Sequence, residues 1–129
     1  MVIGIIGGGA SGMAAALAAA ENPSAQILLF ERQARLGRKL QATGNGRCNL
    51  SNTKLTLKNY HGQDAKFADF ALSHFDVEKT LAYFENLCLI TTVEPSGKVY
   101  PLSDQAGSVV DVLRLALEEA GVEVRTAFE

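Results

Sequence analysis

Apolar side chains along this chain fall into two kinds of run. Val2 to Ile6 and Ile27 to Phe30 are short and continuous, the first ending in three glycines and the second in the charged pair Glu31 and Arg32. Runs of that kind predict parallel strands buried on both faces. Between them Ser11 to Glu21 is nearly all alanine, with Met13 and Leu17 four residues apart. High propensity and a smooth face predict a helix that can lie close to a sheet. Pro23 restricts Asn22 and ends it. A β-α-β unit is therefore complete by residue 31. Further along, the apolar spacing changes to three and four residues. Asp64 to Ser73, with Phe67, Phe70 and Ala71, and Val77 to Leu87, with Leu81, Phe84 and Leu87, predict two amphipathic helices, the second capped by Asp76. Leu89 to Val93 and Lys98 to Tyr100 flank the turn residues Pro95, Ser96 and Gly97 and predict a small β-hairpin. Val109 to Ala120 predicts a helix closed by Gly121, and Val122 to Arg125 a strand returning to the first sheet.

Composition narrows the function classes without naming one. The 129 residues suit one domain, and a 47% hydrophobic content supplies a core. Twelve basic against fourteen acidic side chains give a net charge of −2, which disfavours nucleic acid and anionic membrane as partners. The first apolar stretch is broken by glycine and carries no basic leader, so neither a signal peptide nor a membrane span is expected, and a cytoplasmic location is. Cys48 and Cys88 stand forty residues apart without metal-ligand spacing, which predicts reduced thiols and neither a disulfide nor a zinc site.

The candidate chemistry begins at GGGASG, Gly7 to Gly12, which fits G-x-G-x-x-G between a predicted strand and a predicted helix. In such a turn Gly7 permits the tight bend, Gly9 lets a pyrophosphate approach the backbone, and Gly12 lets the helix lie close to the strand. The helix start then offers amides and a positive dipole end to phosphates. Alone, the motif is also satisfied by a flexible glycine turn. Glu31 changes that, because it ends the second strand nineteen residues after Gly12, where an acid accepts hydrogen bonds from a ribose. No GK[ST] follows, which excludes a P-loop. A carboxylate there would repel the 2′-phosphate of NADP, so the site suits FAD or NAD. The fold class is α/β: a Rossmann-like FAD/NAD(P)-binding fold, a parallel sheet with helices on both faces and a small β-hairpin.

The segment ERQARLGRKLQATGNGRCNLSN, residues 31 to 52, sharpens the choice. An acid, a short spacer, GRK, and a glycine-asparagine turn running into GRCN-x-(S/T)-N resemble the BaiN/YhiN-like flavoproteins, a family of NAD(P)/FAD-dependent oxidoreductases. Downstream, GKVYPLSDQAGSVVDVL at residues 97 to 113 resembles that family's G-x-(V/I)-(F/Y)-P-x-S-x-x-A-x-S-V-x-x-x-L segment. Family members are much longer, with an inserted domain and a late return of the chain to the flavin fold. The resemblance therefore implies that residues 1 to 129 are the N-terminal part of an incomplete dinucleotide-binding domain, holding FAD more weakly than the whole protein.

Carried over residue by residue, the resemblance implies that Gly7, Gly9, Ala10, Ser11 and Gly12 hold the pyrophosphate and Glu31 the ribose, with Arg32 beside it. Arg38 and Lys39 would lie near ribose or phosphates, offsetting ligand charge, against the alternative of a solvated basic turn. Thr43 to Asn49, including Asn45, Gly46, Arg47, Cys48 and Asn49, would wrap the flavin side, although an Asn-Gly pair alone also reads as a common turn. Cys48 beside Arg47 has two readings, a redox thiol of lowered pKa or a small side chain packed under the loop, and the second is favoured. Cys88, where the family usually shows glycine, is expected to pack in the core. Ser11 belongs to the helix cap. His61 and His74 have no catalytic partner at suitable spacing, and no triad is claimed.

The leading expectation is an FAD-dependent oxidoreductase passing electrons between NAD(P)H and a small organic substrate of unidentified class, the fragment alone being inactive. The alternatives are a non-catalytic nucleotide-binding module and an NAD-dependent dehydrogenase.

Overall fold

The computed structural model describes residues 1–128. Strand β1 (Val2–Ile6) enters the glycine turn, helix α1 (Ala10–Ala20) follows, and strand β2 (Gln26–Phe30) returns parallel to β1, with Ile3 opposite Ile27 and Ile5 opposite Leu29. Strand β6 (Glu123–Arg125) joins β2 on its far side, also parallel, so the sheet runs β1-β2-β6. The expected β-α-β unit and the return of the last strand are both present.

Between β2 and β6 lie α2 (Arg38–Ala42), a turn at Thr43–Gly46, strand β3 (Ser51–Asn52), α3 (Asp69–His74), α4 (Val77–Asn86), β4 (Thr91–Val93), β5 (Lys98–Pro101) and α5 (Ala106–Glu119). Strands β4 and β5 form the expected hairpin. The loop after the GRCN sequence adds β3 antiparallel to β5, making a three-stranded sheet separate from the parallel one. Two residues are too few for a periodic pattern, which is why the sequence did not announce β3.

The core sits on one face of the parallel sheet. Ile27 and Leu29 of β2 meet Met13 and Ala16 of α1 and Val109, Leu113 and Leu117 of α5 in one buried cluster. On that face the continuous apolar runs behave as expected. The other face does not: Val2, Gly4 and Ile6 of β1 are exposed, and Phe30 is covered by the ring of Phe128, centroids 4.7 Å apart. Among the described residues the helices gather on one side, so the alternation of β1 is half buried and half open rather than buried throughout.

Three further expectations change. Helix α5 begins at Ala106, three residues before Val109, because Gln105 takes the cap position and Ser103 Oγ accepts its amide at 3.3 Å. The segment expected as one helix from Asp64 to Ser73 is instead a short 3-10 turn, Ala65–Ala68, followed by α3, with Phe67 and Phe70 exposed. Its three-four spacing finds no surface to cover. Cys88 is exposed, not in the core, and has a φ of 62°, a left-handed position closing α4 where its amide donates to Glu85 O at 2.8 Å. A glycine position is what such a φ favours. Asp76 does cap α4, accepting from the Lys79 amide at 2.8 Å. Among the described residues no helix is long and apolar enough to cross a membrane.

The two faces of the sheet make a direct test. Leu29→Ala, at a fully buried position, is expected to destabilise the chain by about 2–5 kcal/mol through lost burial and a cavity. Val2→Thr, on the open face, is expected to stay within about 0.5 kcal/mol. Chemical denaturation of both variants checks this, and comparable losses would refute the one-sided core.

Candidate functional site

The glycine turn is built from close contacts. Gly7 has a φ of 102° and donates its amide to Phe30 O at 2.7 Å, locking the end of β1 to β2. A Cβ on Gly12 would stand 1.8 Å from the Gly7 carbonyl oxygen, so only glycine lets α1 start this near β1. At Gly9 a Cβ would meet nothing within 4 Å, which leaves room above the turn. Gly8, to which the spacing assigns no task, is equally constrained: its Cβ would stand 2.3 Å from the Leu36 side chain and 3.0 Å from Glu31 Cβ. The run of three glycines was the available signal.

Glu31 closes the turn from the side. Its Oε2 accepts the Gly8 amide and its Oε1 the Gln33 amide, both at 2.7 Å. Those backbone donors, Gln33 first and Gly8 second, hold its carboxyl below the usual value against the opposing effect of burial. The carboxylate stays ionised, and each oxygen keeps a lone pair for a further donor. Helix α1 begins with Gly9 as its cap, no side-chain cap and no acid in its first turn, so its amides and dipole face outward uncompensated. Ser11 is thus not the cap: it lies inside the helix, one residue past its start.

Two cavities meet at this turn. The first, about 530 Å³, brings together Gly7, Gly9, Ser11, Glu31, Arg32, Arg38 and Lys39, with Gly8 and Gln33. Arg38 is steadied by a bond from Nη1 to Gln33 Oε1 at 2.8 Å. The second, about 520 Å³, is lined by Ala10, Thr43, Cys48 and Asn49 together with Tyr83 and Phe84 of α4, and it shares Gly9, Ser11 and Lys39 with the first. Tyr83 and Phe84 were missed as site residues because their spacing reads as an ordinary helix face. Gly12 lies buried beneath the turn, while Asn45, Gly46 and Arg47 line neither cavity.

The loop that walls the second cavity is conformationally unusual. Gly44, Asn45, Gly46 and Cys48 all have positive φ, at 56°, 56°, 85° and 60°. Thr43 Oγ1 donates to Leu40 O at 2.7 Å, and the Asn49 amide group, correctly oriented, donates to Ser51 O at 2.8 Å and Val99 O at 3.2 Å. The Cys48 side chain is buried in the core, and burial pushes its thiol up, which favours packing over a reactive thiolate. Among the described residues no group of His, Cys, Asp and Glu is arranged to hold a metal ion.

Comparison with known proteins identifies the family and the fold. The model of the HI0933-like protein Rossmann domain matches residues 1–129. A 3-dehydro-bile acid delta(4,6)-reductase of Clostridium scindens is 46% identical over 125 residues, covering 96% of this chain and 30% of the reductase. A ribosomal RNA dihydrouridine synthase of Escherichia coli is 29% identical over 125 residues, covering 97% of this chain and 31% of the synthase. The chain thus spans about 30% of the length of the curated relatives it matches. A solved structure of Thermovibrio ammonificans THI4 superposes with a TM-score of 0.57 at 17% identity, covering 97% of this chain and 37% of that one, a likeness of fold alone.

The Glu31 bonds carry a pH signature. A carboxyl whose pKa is lowered by folding adds stability that is present above its unfolded value, near 4.5, and is lost as pH falls through the folded value. The stability difference between the native chain and Glu31→Gln is therefore expected to be constant above pH 4.5 and to shrink below it. Denaturation across pH 3 to 7 measures this, and a difference independent of pH would remove the ionised carboxylate from the turn.

Proposed function

The chain belongs to the HI0933-like Rossmann domain family, and from that premise we propose that it holds FAD for a flavin-dependent oxidoreductase. The observation that carries the reading is the junction of the two cavities at the glycine turn. One side is polar, with an ionised carboxylate and three cations; the other is walled by Ala10, Tyr83, Phe84 and residues of the Thr43 to Asn49 loop. A dinucleotide with a ribose at one end and a large aromatic ring at the other has that division of chemistry.

In this reading the amides opening α1 at Gly9, Ala10 and Ser11 receive the pyrophosphate, with Arg38 and Lys39 offsetting its charge. Glu31, held ionised by Gly8 and Gln33, accepts from the ribose hydroxyls, and Arg32 flanks the base. Gly7 and Gly12 shape the turn. Thr43, Cys48 and Asn49 face the ring, and Asn45 and Gly46 form the exposed lip. The flavin supplies two-electron transfer between an NAD(P)H donor and an organic substrate, while the chain's residues bind, orient and exclude water. Glu31 favours FAD or NAD over a 2′-phosphorylated nucleotide in this site, since like charges would face one another.

Both named activities among the relatives, a reductase and a dihydrouridine synthase, are redox activities, which supports the oxidoreductase reading over a passive nucleotide-binding module. Their named substrates differ widely. A cytoplasmic location is part of the same proposal, and a small molecule, as in the name of the Clostridium scindens reductase, is the first substrate class to test.

In the whole protein an absorbance spectrum is expected to show bound flavin, and there Glu31→Ala is expected to lose about 1–3 kcal/mol of FAD binding, the scale of hydrogen bonds to a charged group. Titration of FAD and of NAD, followed by fluorescence and calorimetry, separates the readings. Tight NAD binding with no affinity for FAD would establish the dehydrogenase alternative instead.

A further inference from the structure

Arg47 stands in the GRCN sequence yet lines neither cavity. Its Nη2 donates to Glu94 Oε1 at 2.8 Å, its Nε donates to Asp104 Oδ1, and its guanidinium carbon lies 3.8 Å from the centroid of the Tyr100 ring. Glu94 follows β4 at the hairpin turn, and Asp104 lies in the loop leading to α5. The buried Tyr100 ring is in turn the floor under Gly44, where a Cβ would come within 3.3 Å of Tyr100 Cε1. One planar cation therefore joins the loop, the hairpin, the start of α5 and the ring beneath the loop.

The loop needs such a tie. Asn45 and Cys48 are non-glycine residues in the left-handed region, a conformation that persists only when its surroundings impose it. Within the loop two backbone bonds oppose that cost, Arg47 N to Gly44 O at 3.2 Å and Cys48 N to Thr43 O at 3.0 Å. The Arg47 side chain leaves the loop toward Glu94 and Tyr100, whereas Thr43 and Asn49 line the second cavity.

We propose that Arg47 is a positioning residue, which fixes the Thr43–Asn49 loop in its binding shape through Glu94, Asp104 and Tyr100 without touching the bound dinucleotide. The inference rests on the flavin reading for its ligand, but the pin itself is a property of this chain. A lysine in its place keeps one charge and loses both the two-sided pairing and the planar stack.

The test compares Arg47→Lys, Arg47→Ala, the double variant Glu94→Gln with Asp104→Asn, and the double variant combined with Arg47→Ala. Each is titrated with FAD, and the visible band of the bound flavin is recorded. Arg47→Lys and the carboxylate double variant are each expected to weaken FAD binding about ten- to hundredfold, the scale of fixing one or two loop residues, and to shift the flavin band alike. Adding Arg47→Ala to the double variant is expected to cost little more. Additive losses would mean that Arg47 contacts the ligand, and native affinity in the double variant would mean that the pin does nothing; either overturns the proposal. Hydrogen exchange at the Arg47 and Cys48 amides, without ligand, is expected to quicken in Arg47→Lys, and unchanged exchange also overturns it. If the native protein binds no FAD, the flavin reading fails while amide exchange still decides the role of Arg47. Should Arg47→Ala not fold, Arg47→Lys and the double variant carry the comparison.

Discussion

The contact between Gly12 and the carbonyl of Gly7 is the constraint from which the rest of the site follows. A Cβ at Gly12 would overlap that oxygen, at 1.8 Å, so the absence of a side chain lets α1 leave the turn pressed against β1. From that approach come the burial of Met13 and Ala16 against Leu29 and the outward aim of the first helical amides. The same closeness brings Gly8 within reach of Glu31, whose carboxylate then holds the turn from β2. A charge that could have been a surface ornament becomes the link between the first two strands and the cleft. The ionised state of Glu31 is thus imposed by the fold before any ligand is present.

The second half of the site is held by a different kind of force. Around the glycine turn the positions are set by packing and by backbone bonds at 2.7 Å. Around Thr43 to Asn49 they are set by left-handed backbone, a buried Cys48, and ion pairs of Arg47 that remain about one third to one half exposed. Exposed pairs are individually weak and are screened by salt, whereas core packing is not. Tyr100 makes the difference, since it is buried on one side against Gly44 and covered on the other by the guanidinium.

Much of this was legible in the residues because local and global requirements coincide. The β-α-β unit, the closing role of Gly121 and the N-cap of Asp76, and the return of Val122 to Arg125 to the first sheet each rest on a pattern contained within a few residues. What was not legible depended on partners distant in sequence. Strand β3 exists because β5 lies beside it, and the exposure of Phe67 and Phe70 reflects the lack of a facing surface, which periodicity alone does not reveal. Ser11 looked like a cap by residue type, but backbone geometry gave that place to Gly9. Arg47 was read with its loop neighbours as part of the ligand wall, and only the positions of Glu94 and Asp104, each more than forty residues away, show that it points elsewhere.

The open face of the parallel sheet belongs to the same argument. In β1 the side chains of Ile3 and Ile5 pack on the core while Val2 and Ile6 stay in solvent, although all four are equally apolar. Apolar content specifies that a strand can be buried on both faces; what covers each face is decided by other elements. Here α1 and α5 take one face, and on the other Phe128 reaches only as far as Phe30. A cavity of about 530 Å³ bounded by Gly4, Phe30, Glu31 and Phe128 opens from that uncovered surface next to the carboxylate. Solvent therefore approaches Glu31 from the sheet's open side while its two amide bonds restrain it from the other. That balance explains how the carboxylate stays charged at the edge of an apolar sheet: desolvation is partial, and the donors from Gln33 and Gly8 outweigh it.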